Sequence, residues 1–243
     1  MQTNSLFDHI SIILVESKTP SNIGATARCM MNMGMSRLVL VDPPADPNKD
    51  SFKLAAGADE IIKQALVVPT LEEAIAGQHL VIGTSRHAGR LRRNIRSPRE
   101  MSDHVASLVP KNYISVVFGN EVNGLSNNQL ALCHEILSIP SSDDFPSLNL
   151  SHAVMVVGYE LFVALQNAVP TESRELAPAE DLQKFYRHLQ DTLQTIGFLD
   201  RDQPDRMMFS LRQIFSRSQL DSREVSILRG ILSVINRMCT KQP

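Results

Sequence analysis

The chain has 243 residues, of which 43% are hydrophobic, and a formal net charge of −2 at pH 7. A compact chain of this length buries about 70–75% of its surface, so one large domain with an appendage is expected. The near-neutral charge excludes a globally basic nucleic-acid-binding protein, and any affinity for a polyanion must come from a local patch.

Cysteine spacing and the N-terminal sequence bear on location and cofactors. Cys29, Cys133 and Cys239 are too far apart for a metal or redox pair, and their odd number argues against a disulfide framework. The apolar run at residues 10–15 is too short for a signal peptide or a membrane span. The histidines show no metal-ligand spacing with a matching carboxylate. We therefore expect a cytoplasmic protein with reduced thiols, no metal and no membrane attachment.

Compact apolar runs alternate with helix-like stretches through the first two thirds of the chain. The runs cover residues 10–15, 38–41, 66–68, 80–83, 114–118 and 136–139. Strands buried on both faces read as continuous apolar runs, and parallel neighbours need crossover connections, so the pattern predicts an α/β domain with a mainly parallel sheet. Ser21 and Asn22 are predicted to cap a helix that runs to Met33. Residues 149–167 are predicted to form a long helix that packs one face on the sheet.

Composition changes after this helix. Residues 168–179 contain Pro170, Pro178 and several polar side chains, which predicts a linker with few contacts to a core. Beyond it, residues 181–195, 207–216 and 222–237 are predicted to form three amphipathic helices. The predicted organisation is thus a domain over residues 1–167, a linker over 168–179 and a small all-α domain over 180–243.

Three short strings follow or end apolar runs and carry the functional signal. They are NIGATAR at residues 22–28, FGNEVNGL at 118–125, and IP at 139–140 followed by SLNL at 147–150. In open parallel sheets, ligands bind at the carboxyl ends of strands, so the strings are expected to meet at one edge of the sheet. Residues 16–22 contain no glycine, which disfavours a dinucleotide-binding oxidoreductase because its phosphate loop is glycine-rich.

Together the three strings resemble the motifs of the SPOUT superfamily of RNA 2′-O-methyltransferases. The resemblance implies a C-terminal trefoil knot in the α/β domain, which hydrophobic periodicity does not predict. It also implies that the knotted loops hold S-adenosyl-L-methionine, and that the protein is a homodimer in which Arg28 of one subunit serves the cofactor site of the other. The residues implied to line the cofactor pocket are Thr84, Ser85, Arg86, Gly119, Ile139, Ser147, Leu148 and Asn149. Gly119 is expected to let the main chain approach the ligand closely.

By the same resemblance, Arg28 is the residue nearest the chemistry. A guanidinium resists deprotonation, so clamping the target phosphate and stabilising the developing oxyanion suits it better than acting as a base, and both roles stay open. Asn22 and Asn149 are implied to orient Arg28 and the ribose, Ser147 to contact the substrate, and Glu121 to fix its loop or pair with Arg28. The simpler alternatives are that Asn22 is only a helix cap and Glu121 only a solvated turn acid.

An arginine-rich segment follows the predicted strand that ends near Gly83. Six arginines and no acidic residue lie between Arg86 and Arg99. Such density beside a predicted ligand site favours RNA phosphate contacts over a merely solvated face. The candidate RNA-binding residues are Arg90, Arg92, Arg93 and Arg96. Aromatic residues are only 5% of the chain, so recognition is expected to depend on backbone and shape more than on base stacking.

The C-terminal tail indicates which members of the superfamily this chain resembles. Residues 185–189, 196–198 and 227–231 look like the helical extension of the bacterial tRNA (cytidine/uridine) 2′-O-methyltransferases that act at position 32 of the anticodon loop. The implied activity is methyl transfer to the 2′-OH of that cytidine or uridine, with residues 1–167 catalytic and 180–243 binding tRNA. The alternatives are methylation of another tRNA or rRNA nucleotide, a non-catalytic RNA-binding module, and a small-molecule α/β enzyme.

Overall fold

The computed structural model describes residues 6–44, 48–86, 95–109, 111–168, 174–199 and 205–240. A 3₁₀ turn at Leu6–His9 precedes the first strand. The strands are β1 Ile10–Val15, β2 Arg37–Val41, β3 Leu66–Val68, β4 Leu80–Thr84, β5 Ile95–Arg96, β6 Ile114–Phe118 and β7 Glu135–Leu137. The helices are α1 Pro20–Asn32, α2 Asn48–Ala55, α3 Asp59–Lys63, α4 Leu71–Ile75, α5 Pro98–Leu108, α6 Asn127–Leu132, α7 Leu150–Gln166, α8 Ala179–Thr195, α9 Asp205–Ser216 and α10 Ser222–Cys239.

The seven strands form a parallel sheet in the order β3-β2-β1-β6-β4-β7-β5. This confirms the predicted α/β class, and each of the six predicted runs overlaps a strand. The strand that was not predicted is β5, which lies within the arginine-rich segment at the edge of the sheet. Two residues without an apolar run of their own give no periodic signal.

Alternate side chains along each strand supply two cores. On one face, Ile12 and Leu14 pack with helices α1, α5 and α7, whose contributions include Ile23 and Val157. On the other face, Ile13 packs with α4 and α6. Both faces of the sheet are therefore covered by helices, as parallel sheets require.

Helices α1 and α7 begin in different ways. Helix α1 begins at Pro20, and its N-cap Thr19 makes no side-chain cap bond, so the predicted capping by Ser21 and Asn22 is wrong. Proline suits the first helical position because its ring fixes φ and no donor is lost. Helix α7 begins after Asn149, whose side chain accepts a hydrogen bond from the Ser151 N–H at 2.9 Å.

The predicted linker is packed where the structure describes it. Leu176 and Ala177 are buried. The buried Asn112 side chain donates to the carbonyl oxygen of Arg174 at 2.8 Å and accepts from the N–H of Leu176 at 2.8 Å. The expectation of few core contacts is therefore wrong for residues 174–179. Distant residues, Asn112 among them, satisfy backbone groups of this segment, and composition does not reveal such partners. Pro170 lies outside the described residues.

Helices α8, α9 and α10 share an apolar cluster of their own. Its members include Phe185, Leu189, Met208, Val225 and Leu232. The three predicted amphipathic helices overlap these helices closely. In the part of the chain that the structure describes, we find no helix both long enough and apolar enough to cross a membrane.

An ion-pair network sits at the sheet edge. Arg96 Nε donates to Glu135 Oε2 at 2.9 Å, and His104 Nε2 lies 3.2 Å from Glu135 Oε1. The side-chain amide of Gln219, just before α10, lies 2.8 Å from the same histidine nitrogen. Burial alone would raise the pKa of Glu135, but the hydrogen bonds and charges of His104 and Arg96 outweigh it and lower this pKa. The network therefore joins β5, β7 and α5 to the C-terminal helices through one ionised carboxylate.

Replacing Glu135 with Gln should destabilise the fold in a pH-dependent way. A lowered folded-state pKa means that the carboxylate stabilises the fold above its unfolded pKa of about 4.3, and that this stabilisation is lost as pH falls through the folded value. We expect Glu135→Gln to lower the free energy of unfolding by about 1–2 kcal/mol at neutral pH, because Arg96 loses a mostly buried partner. Urea unfolding followed by circular dichroism measures this.

The same measurement near pH 4, where the carboxylate of the unfolded chain is already partly protonated, should show a smaller difference between the two proteins. Glu72→Gln, on an exposed position of α4, is the matched control and should change little at either pH. A Glu135→Gln effect of equal size at both pH values would show that the carboxylate charge is not what stabilises the edge.

Candidate active site

A cavity of about 770 Å³ lies beyond the carboxyl ends of β4, β6 and β7. This volume falls in the range typical of small-molecule sites. Seven of the eight predicted cofactor residues line it, and the eighth, Asn149, lies between Leu148 and Leu150, which both line it. The seven are Thr84, Ser85, Arg86, Gly119, Ile139, Ser147 and Leu148.

Hydrogen bonds between strand ends shape the cavity floor. Thr84 Oγ1 donates to the carbonyl oxygen of Val117 at 3.0 Å, and the Ser85 N–H donates to the carbonyl oxygen of Leu137 at 3.0 Å. The ends of β4, β6 and β7 are thus held together. Apolar side chains such as Leu125 and Ile139 complete the wall. The combination suits a ligand with an apolar ring system and several polar groups.

Gly119 lines the cavity, but the contact that requires a glycine is with its own turn. A Cβ at this position would lie 2.1 Å from the carbonyl carbon of Gly124. The turn closes because Asn120 Oδ1 accepts from the N–H groups of Val122 and Asn123 at 3.1 and 2.8 Å. Gly124 itself has a φ of +66°. The structure therefore gives a second reason for glycine here, the close approach of two chain segments, and the close approach of the main chain to a ligand stays a prediction.

A hydrogen-bond network joins the three sequence strings at one side of the cavity. Glu121 Oε1 accepts from Asn22 Nδ2 at 2.8 Å and from Ser17 Oγ at 3.0 Å, while Oε2 accepts from the Lys18 N–H at 3.2 Å. Asn22 Oδ1 in turn accepts from Asn149 Nδ2 at 3.1 Å. The network ties the start of α1, the turn after β6 and the N-terminus of α7 into one unit.

This network decides between the alternatives for Asn22 and Glu121. Asn22 uses both ends of its amide in tertiary hydrogen bonds, so it is not merely a helix cap. Partial burial by itself would raise the pKa of Glu121, but hydrogen bonds from Asn22, Lys18 and Ser17 outweigh it and lower this pKa. Glu121 is therefore ionised at neutral pH and cannot serve as a proton donor. It is an anchoring carboxylate and not a solvated turn acid.

The structure does not bring Arg28 to the cavity or into the hydrogen-bond network beside it. It is exposed on α1 and is not among the residues that line the cavity. Six positions along an α-helix place it roughly 120° around the axis from Asn22. Within the described ranges Arg28 makes no ion pair, so its guanidinium is available to an external group.

The arginines of the arginine-rich segment fall into three groups: one lines the cavity, two pair with carboxylates and three are not described by the structure. Arg86 lines the cavity. Arg96 is held by Glu135, as described above, and Arg99 Nε lies 3.3 Å from Glu160 Oε2. Arg90, Arg92 and Arg93 lie outside the described residues.

Sequence reasoning missed several residues of the cavity, and one of them comes from the C-terminal helices. Phe209 of α9 lines the cavity, although it lies far beyond the last of the three strings. The only signal at this position is an ordinary amphipathic helix, which does not indicate what its second face contacts. Among the residues described, no group of three His, Cys, Asp or Glu side chains is placed to hold a metal ion.

Comparison with known proteins matches both parts of the chain. Residues 9–159 match the SpoU rRNA Methylase family, and residues 180–243 match the C-terminal domain of tRNA methyltransferase TrmJ. The chain is 38% identical, over 96% of its length and 93% of the relative, to the tRNA (cytidine/uridine-2'-O-)-methyltransferase TrmJ of Yersinia pestis. It is 40% identical, over 94% of both chains, to the tRNA (cytidine/uridine/adenosine-2'-O-)-methyltransferase TrmJ of Pseudomonas aeruginosa.

Solved structures agree with these sequence matches. TrmJ from Z. mobilis gives a TM-score of 0.82 at 30% identity and covers 93% of this chain and 98% of its own. A probable methylase family protein from Haemophilus influenzae gives a TM-score of 0.64 at 35% identity, covering 98% and 100%. The resemblance drawn from the three strings is thereby confirmed: the chain belongs to the SpoU methylase family and, over both matched segments, to its TrmJ branch.

Proposed function

We propose that the protein transfers a methyl group from S-adenosyl-L-methionine to the ribose 2′-OH of a cytidine or uridine in tRNA, at position 32 of the anticodon loop. The observation that carries this is the cavity at the strand ends, which seven predicted cofactor residues line and whose side is fixed by the Glu121–Asn22–Asn149 network. The TrmJ relatives support the tRNA substrate. The matched C-terminal segment supports tRNA as the substrate, and the anticodon-loop target follows from the resemblance of the tail.

The cavity fits this cofactor in size and in chemistry. When bound, S-adenosyl-L-methionine supplies a methyl group already activated on a sulfonium. Ile139 and Leu148 offer an apolar surface for the adenine ring, and Thr84, Ser85 and Ser147 offer polar groups to the rest of the molecule. Asn149 supports this wall from outside, because it caps α7 and holds Asn22.

Catalysis by this site depends mainly on positioning. The ribose hydroxyl must be aligned with the methyl group, and the proton that it loses as it attacks passes to the target phosphate. Arg28 clamps the target phosphate and stabilises the developing oxyanion, since its guanidinium has no carboxylate partner in the described chain. Asn22 and Glu121 are positioning residues that hold α1 at the cavity. Ser147, which is exposed on the cavity wall, contacts the substrate.

A homodimer brings Arg28 of one subunit to the cavity of the other. Two observations support it. Arg28 is exposed and does not line its own cavity. Helix α7 also exposes Val156, Tyr159 and Val163 at 38%, 53% and 37%, and their spacing puts them along one side of the helix, where a twofold partner can cover them.

A trefoil knot accounts for the path of the chain around β7. This strand lies between β4 and β5, both of which precede it in sequence. Helix α6 before it packs on one face of the sheet, and helix α7 after it packs on the other. A late strand that enters between two earlier ones and changes face supports the threading that the family resemblance implies.

We assign residues 1–167 as the catalytic domain, 168–179 as the connection and 180–243 as a tRNA-binding extension. The separate apolar cluster of α8, α9 and α10 supports this division, although the connection packs on both parts. A tRNA substrate and three free cysteines fit a cytoplasmic enzyme.

The proposed reaction can be tested on one nucleotide. A tRNA transcript with cytidine or uridine at position 32 should gain one 2′-O-methyl group when incubated with the protein and S-adenosyl-L-methionine, as measured by mass spectrometry of ribonuclease fragments. The matched control carries a 2′-deoxynucleotide at that position and should gain none, because the acceptor hydroxyl is missing. Methylation of the control, or a base-methylated product, would overturn the proposal.

Arg28 should contribute to turnover and act across the dimer. We expect Arg28→Ala to lower turnover at least roughly 100-fold, as for loss of a transition-state donor, while calorimetry shows almost unchanged cofactor affinity. Arg28→Lys should recover only part of the activity, because a point charge cannot replace a bidentate clamp.

Subunit mixing tests the shared site. Ile139→Trp should fill the cavity and prevent cofactor binding. Heterodimers of Arg28→Ala and Ile139→Trp subunits contain one intact site if Arg28 acts across the interface, so random mixing should restore about a quarter of the activity. No recovery on mixing, or an active monomer in light scattering, would rule out the shared site.

The arginine-rich segment should bind tRNA without regard to sequence. Replacing Arg90, Arg92 and Arg93 with Ala should weaken all tRNAs alike and reduce the slope of log affinity against log salt by roughly 0.7–0.9 per lost contact. Arg96→Ala should change this slope less, because Glu135 already engages its guanidinium. Filter binding across a salt series measures both, with Lys63→Ala on α3 as the exposed-cation control. An unchanged slope in the triple variant would show that these arginines do not contact phosphates.

A further inference from the structure

We propose that Phe209, in α9 of the C-terminal helices, is part of the cofactor pocket, so that binding of the methyl donor is coupled to the docking of α9 on the sheet domain. The inference rests on the proposed function, because it takes S-adenosyl-L-methionine as the ligand of the cavity. It assigns a cofactor-binding role to a segment otherwise assigned to tRNA.

Helix α9 has two apolar sides with different partners. Met208 is buried in the cluster that α8, α9 and α10 share, where Leu211 and Phe215 pack against it. Phe209 is the next residue, so its side chain leaves the helix about 100° away. It lines the cavity together with residues of β4, β6, α6 and α7.

The side of α9 that carries Phe209 faces the sheet domain from Phe209 to Ser216. Arg212, Gln213 and Ser216 follow Phe209 at intervals of three, four and seven residues, which places all four on one face of the helix. These three line a small cleft together with residues 131–134, at the end of α6 and the start of its connection to β7. Phe209 is thus the end of a continuous docking face, at the point where that face reaches the cavity.

Helix α8 holds this docking face in place. The guanidinium carbon of Arg212 lies 4.5 Å from the ring centroid of Tyr186, and Arg212 Nη1 donates to Gln183 Oε1 at 2.8 Å. Burial of Arg212 lowers its pKa, and no carboxylate among the described residues forms an ion pair with it. The buried guanidinium of Arg212 is stabilised by the ring of Tyr186 and the amide of Gln183, so both of these side chains must keep their positions. The position of Phe209 relative to the cavity is therefore determined by packing between α8 and α9.

An aromatic ring at the cavity wall has a defined use for this ligand. The remaining apolar wall is mainly aliphatic, from Leu125, Ile139 and Leu148 among others, and its other aromatic residue, Phe118, is almost fully buried at the end of β6. Phe209 adds a flat face against which the adenine ring can pack, and such contacts contribute beyond the area that they bury. Because coupling between binding and docking is reciprocal, a cofactor that contacts Phe209 must also stabilise α9 on the sheet domain.

Calorimetric titration of S-adenosyl-L-methionine into the full-length protein tests the contact. We expect Phe209→Ala to raise the Kd roughly tenfold, from the loss of one aromatic contact, and Phe209→Leu to recover part of the loss. Met207→Ala is the matched control, because Met207 is a neighbouring residue of α9 that is exposed and does not line the cavity. Its Kd should stay within about twofold of the unchanged protein. Thermal unfolding without cofactor checks that each variant is folded.

Hydrogen exchange on the unchanged protein supplies the second test, which does not depend on any variant folding. Saturation with S-adenosyl-L-methionine should slow exchange of the α9 amides and leave those of α3, residues 59–63, unaffected. A Phe209→Ala variant with an unchanged Kd, or α9 exchange that ignores the cofactor, would overturn the coupling while leaving the proposed methyl transfer intact. Failure of the unchanged protein to bind the cofactor at all would instead overturn the proposed function.

Discussion

The hydrogen-bonded carboxylate of Glu121 is the constraint on which the arrangement of the site depends. It joins Asn22 across 99 positions of sequence, and Asn22 joins Asn149 across 127. The start of α1, the turn after β6 and the N-terminus of α7 are thereby held together at one side of the cavity. The lowered pKa of Glu121 keeps the acceptor charged over the neutral range, which makes these hydrogen bonds the stronger, charge-assisted kind. Asn149 also caps α7, so the same network fixes the start of the helix that covers the sheet.

An element could be predicted from the sequence when the residues that form it also carry its signal, and not when it depends on a partner from elsewhere in the chain. The strand β1 and the helix α7 carry their signals in their own apolar residues, and both were predicted nearly to their ends. Edge strand β5 has two residues, so its existence depends on pairing with β7, which lies about forty positions later in the chain. Residues 174–179 pack because distant residues satisfy their backbone: Asn112 bonds to Arg174 and Leu176, and the N–H groups of Ala177 and Ala179 donate to the carbonyl oxygens of Leu220 and Gln78. When the hydrogen-bond partner belongs to another element, the sequence of the packed segment itself gives no sign of it.

The same distinction separates the parts of the site that the sequence predicts from those that it does not. Parallel strands end at a common edge, so residues after β4, β6 and β7 were expected to be neighbours, and the cavity contains them. The direction of a side chain is a different matter. Arg28 faces away from this cavity because of its rotation on α1, and Arg96 is engaged because a carboxylate happens to begin β7. Phe209 was missed because an amphipathic pattern identifies one buried face, while α9 has a second face against the sheet domain.

The C-terminal helices are anchored to the sheet domain at separate places, and this affects how a tRNA could be selected. Arg174 pairs with Asp221 at 2.8 Å and also with Glu224, which fixes the junction to the start of α10. Gln219 contacts His104, and the face of α9 lies along residues 131–134. The span from these helices to the cavity is therefore set by the fold. For the proposed reaction, a tRNA held by the helices would present whichever ribose lies at that distance, so the target nucleotide would be chosen by geometry, as suits a chain with few aromatic side chains to read bases.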